Sequence, residues 1–183
     1  MELAEDARLF VELSSYGHDL AEASYALDLA VEGDDADSPT ADARQFLVGF
    51  ASMAYCRSFT LSKVRGALTD HLTVPDGLVA IHEHVRSFRN PTIARSRSEL
   101  AVTYPIGEAR RLDVQEVSAA TVSGTLPRLV VDEFCVLVVT VEGLLDELLL
   151  AVRERLADQL RRVDRSAFDS DCSTSTFGDA VFG

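Results

Sequence analysis

Four arginines crowd one short stretch of this chain: Arg86, Arg89, Arg95 and Arg97, with no acid between Arg86 and Ser98. A guanidinium presents five N–H donors in a planar fork that matches phosphate or carboxylate, and it stays charged at any ordinary pH. The cluster therefore suits an anion or RNA contact. The same residues suit ion pairing with the protein's own acids, which number 30 against 17 Lys and Arg. On composition alone ion pairing comes first. Lys63 is the only Lys, so the abundance of Arg says little by itself.

A fifth arginine, Arg57, falls on a row with Ala43, Leu47, Phe50, Ala54, Leu61, Val64 and Leu68, which recur at three- and four-residue steps. The row predicts a core-facing helix stripe, and a charge on it needs a partner or a path to water. Arg57 is thus expected to be a structural, core-facing residue, paired or snorkelling. His82 and His84 flank Glu83, but residues two apart on a helix do not face each other, so both read as surface histidines. Cys56, Cys135 and Cys172 are scattered without metal-ligand spacing and read as reduced thiols. No Gly-rich phosphate loop, nucleophile elbow, His-Glu-x-x-His helix or Cys-x-x-Cys pair occurs. The acidic stretch 33–42 lacks the calcium-loop pattern. No cofactor and no metal are implied.

The elements that must position these residues are mostly helical. Residues 3–32 read as one helix, with Phe10, Leu13, Leu20, Leu27 and Val31 on a face beside Leu9, Tyr16, Ala23 and Ala30. Gly33 is its expected stop. A second helix is predicted over 40–71, with Ser38 as N-cap and Pro39 at its first position. A third starts near Leu78 after an Asp76 cap and turns Ile81, Val85 and Phe88 inward. Asn90-Pro91 should break it, since proline lacks an N–H and disfavours helix at the preceding residue. Residues 99–123 alternate and predict a short β-hairpin. The last helix runs from Leu126 to 163, with Thr125 and Pro127 at its start. Its stripe of Val130, Phe134, Leu137, Val141, Leu144, Leu148 and Val152 adjoins a second of Leu145, Leu149, Leu156 and Leu160, a width that suits more than one helical neighbour or a dimer partner. The expected fold is mostly α: an up-down bundle of four main helices with a hairpin insertion, one domain over 1–163, and a disordered tail over 164–183 in which Phe168, Phe177 and Phe182 recur.

The bulk numbers restrict the partners. A formal charge of −13 opposes general affinity for nucleic acid or anionic membrane, though not a local basic site. No apolar run reaches membrane-spanning length. The acidic N-terminal residues lack a signal pattern, so a cytoplasmic protein is expected.

The run Val85-Arg86-Ser87-Phe88-Arg89-Asn90-Pro91-Thr92-Ile93-Ala94-Arg95-Ser96 resembles the signature of HEPN proteins, the higher eukaryote and prokaryote nucleotide-binding helical bundles. It is similar to bacterial members reading Arg-Asn, three or four residues, then Ala-His-Ser. Residues 98–105 also resemble such proteins, and Tyr55-Cys56-Arg57-Ser58-Phe59 resembles their preceding helix. The resemblance implies a dimer whose motifs meet in a cleft and, in active members, metal-independent RNA cleavage. Arg89 takes the Arg position and Asn90 the polar one. Arg95 stands where the family has His. A His near neutral pKa can move the proton of a ribose hydroxyl, whereas guanidinium binds phosphate but cannot act as base. The resemblance thus implies a catalytically inactive protein with a binding or regulatory role, its anion-binding candidates being Arg86, Arg89, Arg95 and Arg97. The alternatives are a metal-independent ribonuclease that uses Arg89 with another base, and an acidic protein–protein interaction module.

Overall fold

The structure is a computed structural model that describes residues 2–35, 37–92, 101–110, 113–123 and 126–172. Four helices dominate it: α1 (Glu2–Glu32), α2 (Arg44–Ser58), α3 (Val79–Thr92) and α4 (Arg128–Cys172). α1 and α3 each lie against both α2 and α4, so α2 and α4 occupy opposite corners. Ion pairs give the helix directions. Asp6 near the start of α1 meets Arg155 late in α4 at 2.9 Å, and Asp34 just after α1 lies 3.3 Å from Arg128 at the start of α4. α1 and α4 are therefore antiparallel along most of α1. Asp34 also pairs with Arg44 while Asp19 and Glu22 pair with Arg57, so α2 is antiparallel to α1 as well. Between α3 and α4, β1 (Ala101–Arg110) and β2 (Asp113–Ser123) form an antiparallel ladder from Ala101↔Ser123 to Arg110↔Asp113, with an irregularity at Glu108/Ala109.

The core is aliphatic with an aromatic centre. α1 buries Leu13, Tyr16, Leu20, Ala23, Ala26, Leu27 and Ala30; α4 buries Val131, Phe134, Leu137, Val138, Val141, Leu145 and Val152. Each large side chain so enclosed contributes about 1.5–3 kcal/mol relative to exposure. Tyr55 sits in the middle, 4.8 Å from the Phe59 ring and 5.4 Å from Phe134 across the bundle.

Several sequence expectations need correction. The helix expected over 40–71 covers only Arg44–Ser58. Its start is preceded by a 3-10 turn at Ala41–Ala43, and the Ser38 hydroxyl accepts the Thr40 N–H at 3.2 Å within that turn rather than capping α2. Beyond Ser58, polar side chains offer the backbone other partners. The Ser62 hydroxyl accepts the N–H of Val64 at 3.3 Å and of Arg65 at 3.1 Å. Leu61 and Val64 are exposed, and Leu68 regains the core through a 3-10 turn at Leu68–Asp70. Even inside α2 the buried row is Val48, Ala51, Ser52, Tyr55 and their neighbours, while Phe50 is partly exposed, so the stripe is rotated by about one position from the expected one. Asp76 opens a 3-10 turn and makes no cap hydrogen bond for α3.

Neither of the later helices ends where expected. α3 continues through Asn90 and Pro91 to Thr92, although proline lacks the N–H that would complete an i→i−4 hydrogen bond at that position. α4 starts at Arg128 with the Pro127 carbonyl accepting the Val130 and Val131 N–H groups at 3.0 and 3.1 Å, and it extends beyond 163 to Cys172. The tail expected from 164 is thus helical backbone to Cys172. Thr125 and 173–183, including Phe177 and Phe182, lie outside the described residues.

Candidate functional site

A cavity of about 1050 Å³ opens between α1, the end of α2, the 60–65 loop and α3. Four arginines line it: Arg8, Arg57, Arg65 and Arg89. Each comes from a different element. Arg8 stands on the first turns of α1, Arg57 on the last turn of α2, Arg65 on the loop where α2 was expected to continue, and Arg89 on the last turns of α3. The wall between them is mixed: Ala7, Val11 and Val64 are apolar, Ser15, Thr60 and Ser62 carry hydroxyls, and Glu12 and Asp19 are acids.

Two of the four are fixed by the protein's own acids. Arg65 pairs with Asp19, donates to the Ser15 hydroxyl at 2.8 Å and to the Arg57 carbonyl at 3.1 Å, and stacks 4.7 Å above the Tyr16 ring. Arg57 lies 3.0 Å from Asp19 and also pairs with Glu22. It is not core-facing, as its place on the expected stripe suggested. Its side chain is 45% exposed, because α2 turns the row of Phe46, Phe50, Met53 and Arg57 outward. Both acids engage the Nη2 nitrogen of this guanidinium, and the residue lines the cavity.

Behind Arg65, Glu12 anchors the loop. Its Oε1 accepts the Tyr16 hydroxyl at 2.9 Å and the Gly66 N–H at 2.9 Å, and the His71 ring nitrogen lies 3.9 Å away. The Tyr16 hydroxyl first and the Gly66 N–H second hold the Glu12 carboxyl below its ordinary range. A Cβ on Gly66 would stand 2.8 Å from Asp70 Oδ2 and 3.2 Å from Glu12 Oε1, so a larger residue would have to displace one or both carboxylates.

Of the sequence-flagged arginines, the structure brings Arg57 and Arg89 to this one cavity. Arg86 faces elsewhere and pairs with Glu83 at 3.2 Å. Asn90 belongs to α3 but its side chain lies outside the described residues, as do Arg95 and Arg97 altogether. Arg8 and Arg65 were not singled out in the sequence. Arg8 carries no motif, and Arg65 was hidden inside the helix expected over 40–71.

A second polar group sits in the core. His82, expected on the surface, is 5% exposed, while His84 is exposed. Its Nδ1 shares a 2.7 Å hydrogen bond with the Tyr55 hydroxyl, and its ring meets Phe59 edge-on at 4.7 Å. Burial, then the Arg86 charge, lowers the His82 pKa and keeps the ring neutral. Burial likewise pushes the neighbouring Cys56 thiol up to about 11, against the opposing pull of Arg89 and Arg86, so this thiol is not a nucleophile at neutral pH. Burial also raises the Tyr55 hydroxyl's pKa. The cluster is a satisfied core centre with neither acid nor base available to a substrate.

Among the described residues no group of three or more His, Cys, Asp and Glu side chains is placed to hold a metal ion, and no helix is long and apolar enough to cross a membrane. No protein-family model, curated protein or solved structure matches the chain.

Proposed function

We propose that the chain is a catalytically inactive HEPN-like helical bundle that binds an anionic partner in the arginine-lined groove and acts as a binding or regulatory protein. One observation carries this: Arg89, which holds the Arg position of the resemblance, lines the same cavity as Arg8, Arg57 and Arg65. Guanidinium groups form charge-assisted, often bidentate hydrogen bonds with phosphate or carboxylate, and a ligand here would compete with Glu12 and Asp19 of the same lining. Arg95 occupies the His position, and a group that does not titrate cannot relay a proton. In this reading two copies pair through their motif segments, as the resemblance implies.

The test is RNA cleavage in EDTA by the wild type beside Arg95→His and Arg89→Ala, with anisotropy of a labelled RNA oligonucleotide measured in parallel. Cleavage by Arg95→His alone, with wild-type binding that Arg89→Ala weakens, supports the proposal. Cleavage by the wild type that Arg89→Ala abolishes replaces it with a metal-independent ribonuclease. RNA neither bound nor cut by any form removes the nucleic-acid reading. The alternative of a protein–protein interaction module is then favoured by the exposed Phe46, Phe50 and Met53 of α2.

A further inference from the structure

The arginine-lined groove is mixed in composition, yet its polar members are engaged within the protein. The Ser15 hydroxyl donates to the Glu12 carbonyl and accepts from Arg65, the Thr60 hydroxyl donates to the Cys56 carbonyl, and the Ser62 hydroxyl accepts two N–H groups of its own loop. Glu12 Oε1 takes the Tyr16 hydroxyl and the Gly66 N–H, and the charges of Arg57 and Arg65 are balanced by Asp19 and Glu22. What is left for a ligand is a different set. Arg8 makes no ion pair among the described residues, and Ala7, Val11 and Val64 are apolar and exposed.

The apolar exposure here is concentrated. Val64 is 92% exposed, Leu61 in the same loop 76%, and Val11 across the cavity 67%. Single apolar side chains on a surface need no explanation, but a group of them around a cavity marks a contact surface. The loop that carries two of them is braced. The Ser62 N–H donates to the Arg65 carbonyl at 3.1 Å, while Arg65 and Gly66 tie the loop to Ser15, Asp19 and Glu12 of α1. Arg8 and Val11 are three residues apart on α1 and so are neighbours on one helix face. An unpaired cation therefore adjoins exposed apolar surface at the same cavity.

We infer that the groove takes a small amphiphilic monoanion, its charged head on Arg8 and its apolar body between Val11 and Val64; a fatty acid or an alkyl phosphate has this chemistry. The inference rests on the reading of the groove as an anion site and narrows the anion. A cavity of about 1050 Å³ is at the upper end of the range for small-molecule sites, so it has room for the body as well as the head. One head needs one cation, whereas each further negative charge would meet Glu12, Asp19 and a chain of net charge −13. The same net charge opposes an anionic bilayer, so the free molecule is the source it favours.

The experiment titrates the full chain by calorimetry with hexanoate, octanoate and decanoate, each below its micelle-forming concentration. Octanol supplies the body without the charge, and inorganic phosphate the charge without a body. Each added pair of methylenes is expected to tighten binding by roughly threefold to tenfold, since one methylene fully removed from water is worth about fourfold. Arg8→Gln is expected to weaken octanoate by roughly tenfold, and Val64→Ser to flatten the chain-length series. Arg153→Gln, exposed and without an ion pair on α4, is expected to bind as the wild type does. All three substitutions are at exposed positions, and circular dichroism checks that each variant is folded. Affinity that does not grow with chain length, octanol bound as tightly as octanoate, or equal losses in Arg8→Gln and Arg153→Gln would overturn the inference. If inorganic phosphate or an RNA oligonucleotide still binds in that case, the anion reading stands and only the amphiphile is lost; if no anion binds, both are lost. Co-sedimentation with oleate-containing vesicles, with no binding of the free carboxylates, would overturn it in favour of a bilayer surface.

Discussion

Deleting the Tyr55 hydroxyl removes the hydrogen-bond partner of His82 Nδ1, and both residues are buried. Tyr55→Phe keeps the ring contacts to Phe59 and Phe134, so the loss is polar. A buried donor or acceptor left unsatisfied costs about 1–3 kcal/mol. For a chain of this size each kcal/mol moves the melting temperature by roughly 2–4 °C. The measurement is urea unfolding followed by circular dichroism at pH 7.5, with thermal melts beside it. His82→Leu removes the other partner, and the double variant should lose less than the two single losses combined, because no orphaned group remains. The same pair sets a pH dependence. The folded pKa of His82 is lowered by burial and then by Arg86, so below the ordinary histidine value of about 6.5 the unfolded chain binds a proton that the folded chain resists. The stabilising contribution is complete above that value and is lost as pH falls from there through the folded pKa. Wild-type stability should therefore decline between pH 7 and pH 5 more steeply than that of His82→Leu. Equal slopes, or single losses that simply add, would refute the account of this pair.

Other consequences are independent of it. Gly143→Ala should raise stability by about 0.5–1 kcal/mol, since it lies inside α4 with open space around it; a loss in urea unfolding would contradict this. Gly66→Ala should do the opposite, because its Cβ would press on Asp70 and Glu12, and a neutral or stabilising result would refute the cradle described above. Arg65→Ala should cost about 1–3 kcal/mol in urea unfolding, as Asp19 and Ser15 lose a partner and Tyr16 its stacked cation; an unchanged midpoint would show the network to be idle. Cys56, with its thiol pushed up to about 11 and 3% exposed, should resist a thiol-specific disulfide reagent at pH 8 until the chain unfolds, and rapid native-state labelling would refute its burial.

The helices were legible where one face alone had to be buried. The α1 pattern names most of its core, because Leu13, Leu20 and Leu27 repeat over 31 residues with no competing apolar face. α2 was not, for a physical reason. Its residues are apolar nearly all round, so the step of three and four can be drawn through Phe50 or through Tyr55 with equal ease. Only packing against α1 chooses the latter. Its end was hidden because Thr60 and Ser62 compete for backbone groups without any Gly or Pro to announce it. His82 and His84 look equivalent in the sequence, and the aromatic pocket of Tyr55 and Phe59 distinguishes them. Arg89 was legible as a candidate through its resemblance to a motif. Its company was not, since Arg8 and Arg65 are 57 residues apart in numbering and only the antiparallel turn back of α2 places both beside it.

The acid excess and the arginine groove have a common origin in how the bundle is tied. Acids cluster where helices end or cross: Asp6 takes Arg155 and Gln159, Asp34 takes Arg44 and Arg128, and Asp19 takes Arg57 and Arg65. The more exposed partners, Arg155 and Arg128, contribute little each to stability, yet all these pairs fix where the guanidinium planes point. At Asp34 the two partners come from the first turns of α2 and α4. At Asp19 and Glu22 two carboxylates meet two arginines, so the charges of Arg57 and Arg65 are balanced, and what these residues offer the groove is oriented N–H donors rather than surplus charge. Ion pairing and anion binding, which composition sets against each other, are therefore compatible at Arg57 and Arg65. The acid positions the cation and does not exhaust it, and a ligand anion entering there would meet donors already oriented at the entropic expense of folding.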